Sequence, residues 1–142
     1  MGSPLPSPPA SHVGCVPKNI KSQLNNTAFR TKGFLKEYIE NRLQNKSFGE
    51  SEKECLMRCF QAYHASIASI DKANTDVSEN KFSYAIIDVV AYLSFIGSTM
   101  KLKCSSNIIA QNPEFSAMQK WSETNAQDLL KQLKICAKLA IG

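Results

Sequence analysis

The segment SEKECLMRCFQAYHASIASI, residues 51–70, contains the clearest structural pattern in the chain. Its first four residues, Ser51-Glu52-Lys53-Glu54, have the form of a capping box, in which Ser51 and Glu54 each bond the backbone amide of the other. Behind them, apolar side chains recur at intervals of three or four residues, which is the spacing of one face of an α-helix. These apolar residues are Leu56, Cys59, Phe60, Tyr63, Ile67 and Ile70. The segment therefore predicts an amphipathic helix that begins near Ser51.

The segment upstream, residues 17–43, shows the same helical spacing. Pro17 suits a first helical turn, where its missing amide hydrogen is not needed. Gly33 is a weak point, at which this helix is expected to kink or divide. The pattern stops over residues 45–49, which predicts a connection to the next helix.

Two more helical segments follow. Polar residues 74–80 predict a short connection between antiparallel helices, and helical spacing resumes over residues 82–96. The β-branched run at residues 86–90 would also suit a buried strand, but a helix is favoured because no other segment offers a strand for pairing. The last helix is expected to begin at residues 112–114, where Asn, Pro and Glu supply a cap, a first-turn proline and a first-turn acid. Four such helices predict an all-α fold, an antiparallel up-down-up-down four-helix bundle.

The size and composition fit a single domain. With 142 residues, of which 43% are hydrophobic and 20% charged, the chain can form one core and is too apolar for disorder throughout. Four of the six prolines lie before residue 10. Residues 1–16 are therefore interpreted as an extended, proline-rich lead-in, in which Met1-Gly2-Ser3 resembles an expression remnant. The bundle domain is assigned to residues 17–142.

The formal net charge of +5 restricts the classes of partner. Lysines are spread along the whole chain and lack the concentrated stripe typical of nucleic-acid-binding proteins, so no nucleic-acid partner is expected. The longest apolar stretch, residues 84–97, is shorter than the roughly 18 residues that span a bilayer and carries Asp88, so no membrane partner is expected. The simplest interpretation of the charge is a soluble surface that is basic without a specific role. The more specific alternative is that this surface binds an acidic protein partner.

The residues that could carry chemistry are sparse. His64 is the only histidine in the predicted bundle, the acidic residues are scattered, and the chain has no glycine-rich phosphate loop. An enzyme is therefore not expected, and a binding protein is the better interpretation. The five cysteines contain no C-x-x-C pair and cannot form a usual zinc site with the two histidines. Neither a metal nor a cofactor is expected.

The cysteine content instead indicates an oxidising compartment. Five cysteines, at positions 15, 55, 59, 104 and 136, allow one or two disulfides and leave an odd thiol. The residues alone assign no role to Cys15 or Cys136. Asn25 and Asn45 each begin an N-x-S/T triplet, the acceptor for N-glycosylation, which also fits a secreted protein.

Four stretches together resemble the plant invertase inhibitor and pectin methylesterase inhibitor family. They are residues 56–65 (LMRCFQAYHA), 32–39 (KGFLKEYI), 79–82 (ENKF) and 123–126 (ETNA). Their order and spacing agree with the family over residues 17–142. The resemblance implies a protein secreted to the plant apoplast or cell wall, or delivered to the vacuole, that inhibits a carbohydrate enzyme by docking to it.

The chain also departs from the family pattern. Family members open with a disulfide-closed helical hairpin, and here only Cys15 and the proline-rich lead-in stand in its place. The resemblance further implies a disulfide from Cys59 to Cys104. Cys55 is the alternative partner of Cys104, because at about 1.5 Å per residue antiparallel helices would align these two slightly better.

The resemblance implies two candidate target enzymes. In the invertase inhibitors a Pro-Lys-Phe turn enters the substrate cleft, and here Asn80 replaces the proline while Lys81 and Phe82 remain. Lys81 would meet carboxylates and Phe82 would bury apolar area, unless Phe82 is simply the first core residue of its helix. An acid invertase is slightly favoured as the target, and a pectin methylesterase bound by the bundle face is the alternative. A non-inhibitory basic binding module or a pollen-type family member is a further alternative, and the oligomeric state is left open.

Overall fold

A computed structural model describes residues 14–45, 47, 49–102 and 111–141. Its secondary structure in these residues consists of four helices without a strand, which confirms the all-α prediction. Helix α1 is Pro17–Phe34 and continues through a π-helical turn, Leu35–Glu40, into a last α-helical turn, Asn41–Leu43. The other helices are α2 (Glu50–Ser78), α3 (Phe82–Thr99) and α4 (Pro113–Ile141).

The observed first residues of α1 and α4 agree with the prediction from the prolines, whereas the first residue of α2 differs from the prediction. Pro17 and Pro113 begin α1 and α4 as predicted. The capping box predicted for Ser51 and Glu54 is wrong, because α2 begins at Glu50, two residues before the start that a Ser51 cap requires. The backbone of Gly49 is extended, its carbonyl accepts the Lys53 amide at 3.0 Å, and no side chain caps the helix.

The end of α1 is continuous where the sequence predicted a break. Gly33 lies inside α1 without interrupting it, and the backbone departs from α-helical geometry at Leu35 instead. The wider π turn lets two consecutive residues, Phe34 and Leu35, both face the core, together with Ile39 one turn later. An unbroken α-helix would turn neighbouring residues about 100° apart and bury them less evenly.

Residues 86–90 are helical, and the pattern of buried and exposed side chains along them fits a helix better than a strand. Asp88 and Val89 face inward, while Ile87 and Val90 are exposed. Alternation with a period of two would have been needed for a half-buried strand. By length and composition α3 is also long and apolar enough to cross a membrane, with 18 residues of mean hydropathy 1.4. The apolar stretch identified from the sequence, residues 84–97, is thus shorter than α3. Length and hydropathy alone do not distinguish a membrane-spanning helix from a core helix of a bundle.

The contacts between helices fit an antiparallel bundle. Cys15 before α1 is bonded to Cys136 near the end of α4, while Arg42 at the far end of the first helix pairs with Glu114 at the start of α4, at 3.6 Å. These contacts fit opposite directions for the two helices. Midway along the core, the hydroxyl of Tyr92 on α3 lies 3.0 Å from that of Thr31 on α1. It also lies 3.0 Å from the hydroxyl of Ser122 on α4. Ring contacts among Phe34, Tyr63 and Phe115 complete the packing.

Candidate partner-binding surface

The turn between α2 and α3 closes the end of α2 with a defined backbone geometry. The amide of Asn80 donates to the carbonyl of Val77 at 3.1 Å, and the amide of Lys81 donates to the carbonyl of Asp76 at 2.7 Å. Asn80 adopts a left-handed backbone, with φ of 61°. This pair of bonds around a left-handed residue is the Schellman motif, which usually has glycine, and less often asparagine, at that position. The turn is therefore fixed by the backbone itself.

The left-handed backbone bears directly on the resemblance to the Pro-Lys-Phe turn. Proline fixes φ near −65°, whereas residue 80 has φ of 61°. A proline could not replace Asn80 without rebuilding the turn. The exchange of proline for Asn80 is therefore not conservative, because the backbone of this turn differs from that of a Pro-Lys-Phe turn.

The three residues predicted to bind a partner differ in accessibility. Asn80 and Lys81 are exposed, whereas Phe82 is buried, with 6% of its surface accessible. Phe82 is thus the first core residue of α3, which is the alternative interpretation of the sequence, and its ring is not accessible to a partner in this structure. The structure leaves Asn80 and Lys81 as the accessible part of the predicted site.

Lys81 is exposed but has a partner within the turn. Its Nζ lies 3.0 Å from Oε1 of Glu79, and both side chains are about half exposed. The hydrogen bond with Glu79 raises the pKa of Lys81, so Lys81 stays charged. A carboxylate on a partner protein would have to replace Glu79 at the ammonium group. Glu79 would also repel such a carboxylate.

A groove lies beside the turn, at the same end of the bundle. It has a volume of about 540 Å³ and is lined by the start of α1 and the end of α2, including Lys18, Lys21, Asn25 and Asn80. Neither Lys18 nor Lys21 forms an ion pair with another described residue. Nothing in the sequence singles out these two lysines, since only the packing of α1 against α2 brings them next to Asn80.

A second feature that sequence analysis missed is a pair of buried carboxyl groups on facing helices. Asp76 on α2 and Asp88 on α3 are both buried, at 7% and 6% exposure, and share a hydrogen bond. Lys72 Nζ lies 3.3 Å from an oxygen of each. Among the described residues, Oδ2 of Asp88 has no hydrogen-bond donor. The one available signal was a single acid inside the apolar run of α3.

The two carboxyl groups have opposite pKa shifts. Burial, followed by the hydrogen bond with Asp76, raises the pKa of Asp88 to about 6. The hydrogen bond with Asp88 lowers the pKa of Asp76. Below about pH 6 Asp88 therefore carries the proton and Asp76 is the ionised acceptor, whereas at neutral pH both carboxyl groups are ionised. Lys72 compensates the remaining negative charge.

The cysteines pair differently from the prediction. Cys15 and Cys136, to which the sequence assigned no role, form a disulfide with Cα atoms 4.9 Å apart. Cys55 is disulfide-bonded as well, and Cys59 is a free buried thiol, so the favoured bridge from Cys59 is wrong. Burial raises the pKa of the Cys59 thiol to about 11, which keeps it protonated. The other predicted participant, Cys104, lies outside the described residues.

The two predicted glycosylation sites are both exposed, in different settings. Asn25 lies within α1, where its Oδ1 accepts a hydrogen bond from Asn74 at 2.8 Å. Asn45 follows the first helix, and its Oδ1 accepts from both the amide and the hydroxyl of Ser47, at 2.9 and 2.7 Å. A glycan on Asn25 would stand at the edge of the basic groove, whereas one on Asn45 would not.

These features define a disulfide-bonded, all-α bundle with a basic groove and an exposed lysine at one end. Comparison with protein-family models, with curated proteins and with solved structures gives no match for this chain.

Proposed function

We propose that the chain is a secreted protein inhibitor that docks the Asn80–Lys81 end of its bundle into the acidic cleft of a plant acid invertase. The observation that carries the proposal is the exposed Lys81, held on a turn whose backbone hydrogen bonds close the end of α2. A rigid turn loses little conformational freedom on binding. The resemblance to the invertase inhibitors supplies the class of target.

The basic groove extends the proposed interface beyond the turn. Lys18 and Lys21 line this groove together with Asn80. Carboxylates around a fructosidase cleft would be attracted by all three lysines, which would raise the association rate and fix the orientation of docking. Because Phe82 is buried, the interface proposed here is mainly electrostatic.

The proposed location is the apoplast or cell wall, with the vacuole as an alternative. The Cys15–Cys136 disulfide supports this location, because disulfides persist in oxidising compartments. The exposed Asn45 would be compatible with glycosylation along the secretory route.

The test is inhibition of a purified acid invertase, measured as residual sucrose hydrolysis. Lys81→Ala should weaken inhibition at least tenfold, equal to about 1.4 kcal/mol, because a carboxylate in the cleft then loses its partner. Glu79→Gln should strengthen inhibition, since it removes a competing and repelling carboxylate. Lys120→Ala is the matched control, because it removes one exposed positive charge from the opposite half of the bundle. Equal inhibition by Lys81→Ala, Lys120→Ala and the parent protein would refute the proposed site.

A pectin methylesterase is the second candidate target. The observation that favours it is a row of exposed apolar side chains on α3, including Tyr84 and Ile87. Inhibition of a pectin methylesterase that survives Lys81→Ala and is lost in Ile87→Lys would establish this alternative. Salt-sensitive retention on heparin without inhibition of either enzyme would instead indicate a non-inhibitory basic binding module.

A further inference from the structure

A second groove runs between α1 and α4, on the half of α1 away from the basic groove. It has a volume of about 430 Å³. Its lining includes the buried side chains of Phe34 and Met118 and the more accessible rings of Phe29 and Tyr38. A cavity of this size with a mainly apolar and aromatic lining is typical of a ligand-binding site. We call it the α1–α4 groove.

Gly33 keeps the α1–α4 groove open. It lies inside α1 without a positive φ, so the backbone there does not require glycine. A Cβ atom at position 33 would lie more than 4 Å from every atom beyond the neighbouring backbone of its own helix, so packing does not require glycine either. Glycine inside a helix is less favourable than alanine by roughly 1 kcal/mol. Its effect here is to leave empty space, next to the small side chain of Ala117 in the same groove.

Two unpaired charges of opposite sign line the α1–α4 groove. The guanidinium carbon of Arg30 lies 4.6 Å from the ring centre of Trp121, and this stacking restrains the group. Neither Arg30 nor Glu37 forms an ion pair with another described residue, whereas Glu114, the third charged residue of the groove, pairs with Arg42. Seven residues separate Arg30 from Glu37 along α1, which corresponds to about 10 Å. Each can therefore bind an opposite charge at its own end of a ligand.

The π-helical turn of α1 supplies the acidic end of the groove. Glu37 and Tyr38 both lie in this turn, Leu35–Glu40, and both line the groove. A π-helical turn within an α-helix is rare and frequently occurs at a functional site. The unusual backbone of α1 and the cavity thus coincide.

We propose that the α1–α4 groove binds an apolar peptide of three residues with free ends, whose carboxylate pairs with Arg30 and whose ammonium group pairs with Glu37. An extended chain rises about 3.3 Å per residue, so three residues span the roughly 10 Å between the two charges. The apolar side chains of the peptide would pack over the space at Gly33, against Phe34 and Met118. Such a peptide has no net charge, so the net charge of +5 on the protein neither attracts nor repels it.

Isothermal titration calorimetry with the free peptide Leu-Phe-Leu tests the proposal. The parent protein should bind it with a Kd of about 1 mM or lower. Gly33→Leu fills the empty space and should weaken binding at least tenfold, and circular dichroism should show that the variant folds, because a Cβ atom at position 33 meets no obstacle. Gly33→Ala is the matched control, since it also improves helix propensity but adds only a methyl group, and it should bind nearly as well as the parent.

Peptides blocked at one end test the two ion pairs separately. Acetylation of the amino end and amidation of the carboxyl end should each weaken binding about threefold, the scale of a largely exposed ion pair. Arg30→Gln should weaken binding of the free peptide equally and leave binding of the amidated peptide unchanged. Glu37→Gln should have the same relation to the acetylated peptide. Lys36→Gln is the control, because it removes an exposed charge of α1 that does not line the groove.

Each contrary outcome overturns the proposal. A Kd above about 1 mM for the parent protein refutes it, as does binding that Gly33→Leu leaves unchanged. Equal affinity for the free peptide and for one blocked at both ends also refutes it, and indicates an internal segment of a partner protein as the occupant. The proposal does not depend on invertase inhibition. Lys81→Ala, which removes the proposed inhibitory contact, should therefore leave peptide binding unchanged.

Discussion

Replacing Asp88 by asparagine should stabilise the protein at neutral pH and much less in mild acid. In the protein, Oδ2 of Asp88 is buried without a donor, and Asp76 is the hydrogen-bonded neighbour. A protonated Asp88 can donate to Asp76 while its other oxygen accepts from Lys72, 3.3 Å away. An asparagine amide can do both at any pH. The variant thus imitates the protonated acid.

The magnitude follows from the pKa of Asp88. Its pKa is raised from 3.8 in the unfolded chain to about 6 in the folded protein, so the folded state binds the proton more tightly. The free energy of unfolding therefore falls as the pH rises through about 6, by about 2–3 kcal/mol in total. The lowered pKa of Asp76 has the opposite sign, since its contribution is lost as the pH falls below 3.8. Stability should therefore be greatest near about pH 4, because the contribution of Asp88 declines above that pH and the contribution of Asp76 declines below it.

Urea unfolding followed by circular dichroism, at about pH 4.5 and about pH 7.5, measures the effect. Asp88→Asn should exceed the parent by about 2–3 kcal/mol at the higher pH and by only about 1 kcal/mol at the lower pH. Asp71→Asn is the control, because it makes the same chemical change at an exposed position of α2. Parallel loss of stability in the parent and Asp88→Asn between the two pH values would refute the shared-proton arrangement.

Two further predictions concern the turn and the disulfide. Asn80→Gly should raise the free energy of unfolding by up to about 1 kcal/mol, because glycine adopts positive φ without steric cost. Asn80→Pro should lower it by more than this, and thermal melts of both variants give the comparison. The double variant Cys15→Ser/Cys136→Ser should lose about 4 kcal/mol of stability, since the bridge spans 121 residues and restricts the unfolded chain. The reduced parent should lose at least as much, because reduction also breaks the disulfide of Cys55. Equal stability of the variant and the oxidised parent would contradict the prediction.

The sequence alone determined the helices and most of their limits. Helical spacing with Pro17 and Pro113 at the starts predicted α1 and α4 correctly, because these signals act within a few residues of the chain. The same local spacing was enough to assign helix to residues 86–90 despite their β-branched side chains. The limits failed where several starts were equally good, as at Gly49 and Ser51.

Only the tertiary structure decided which distant residues meet. The pairing of Cys15 with Cys136, the burial of Phe82 and the contact of Asp76 with Asp88 all depend on the order and rotation of the packed helices. A helical pattern gives the position of a residue around its own axis, but not which neighbour it faces. Five cysteines permit several pairings at the same spacings, and one acid in an apolar run has no partner until a second helix brings one.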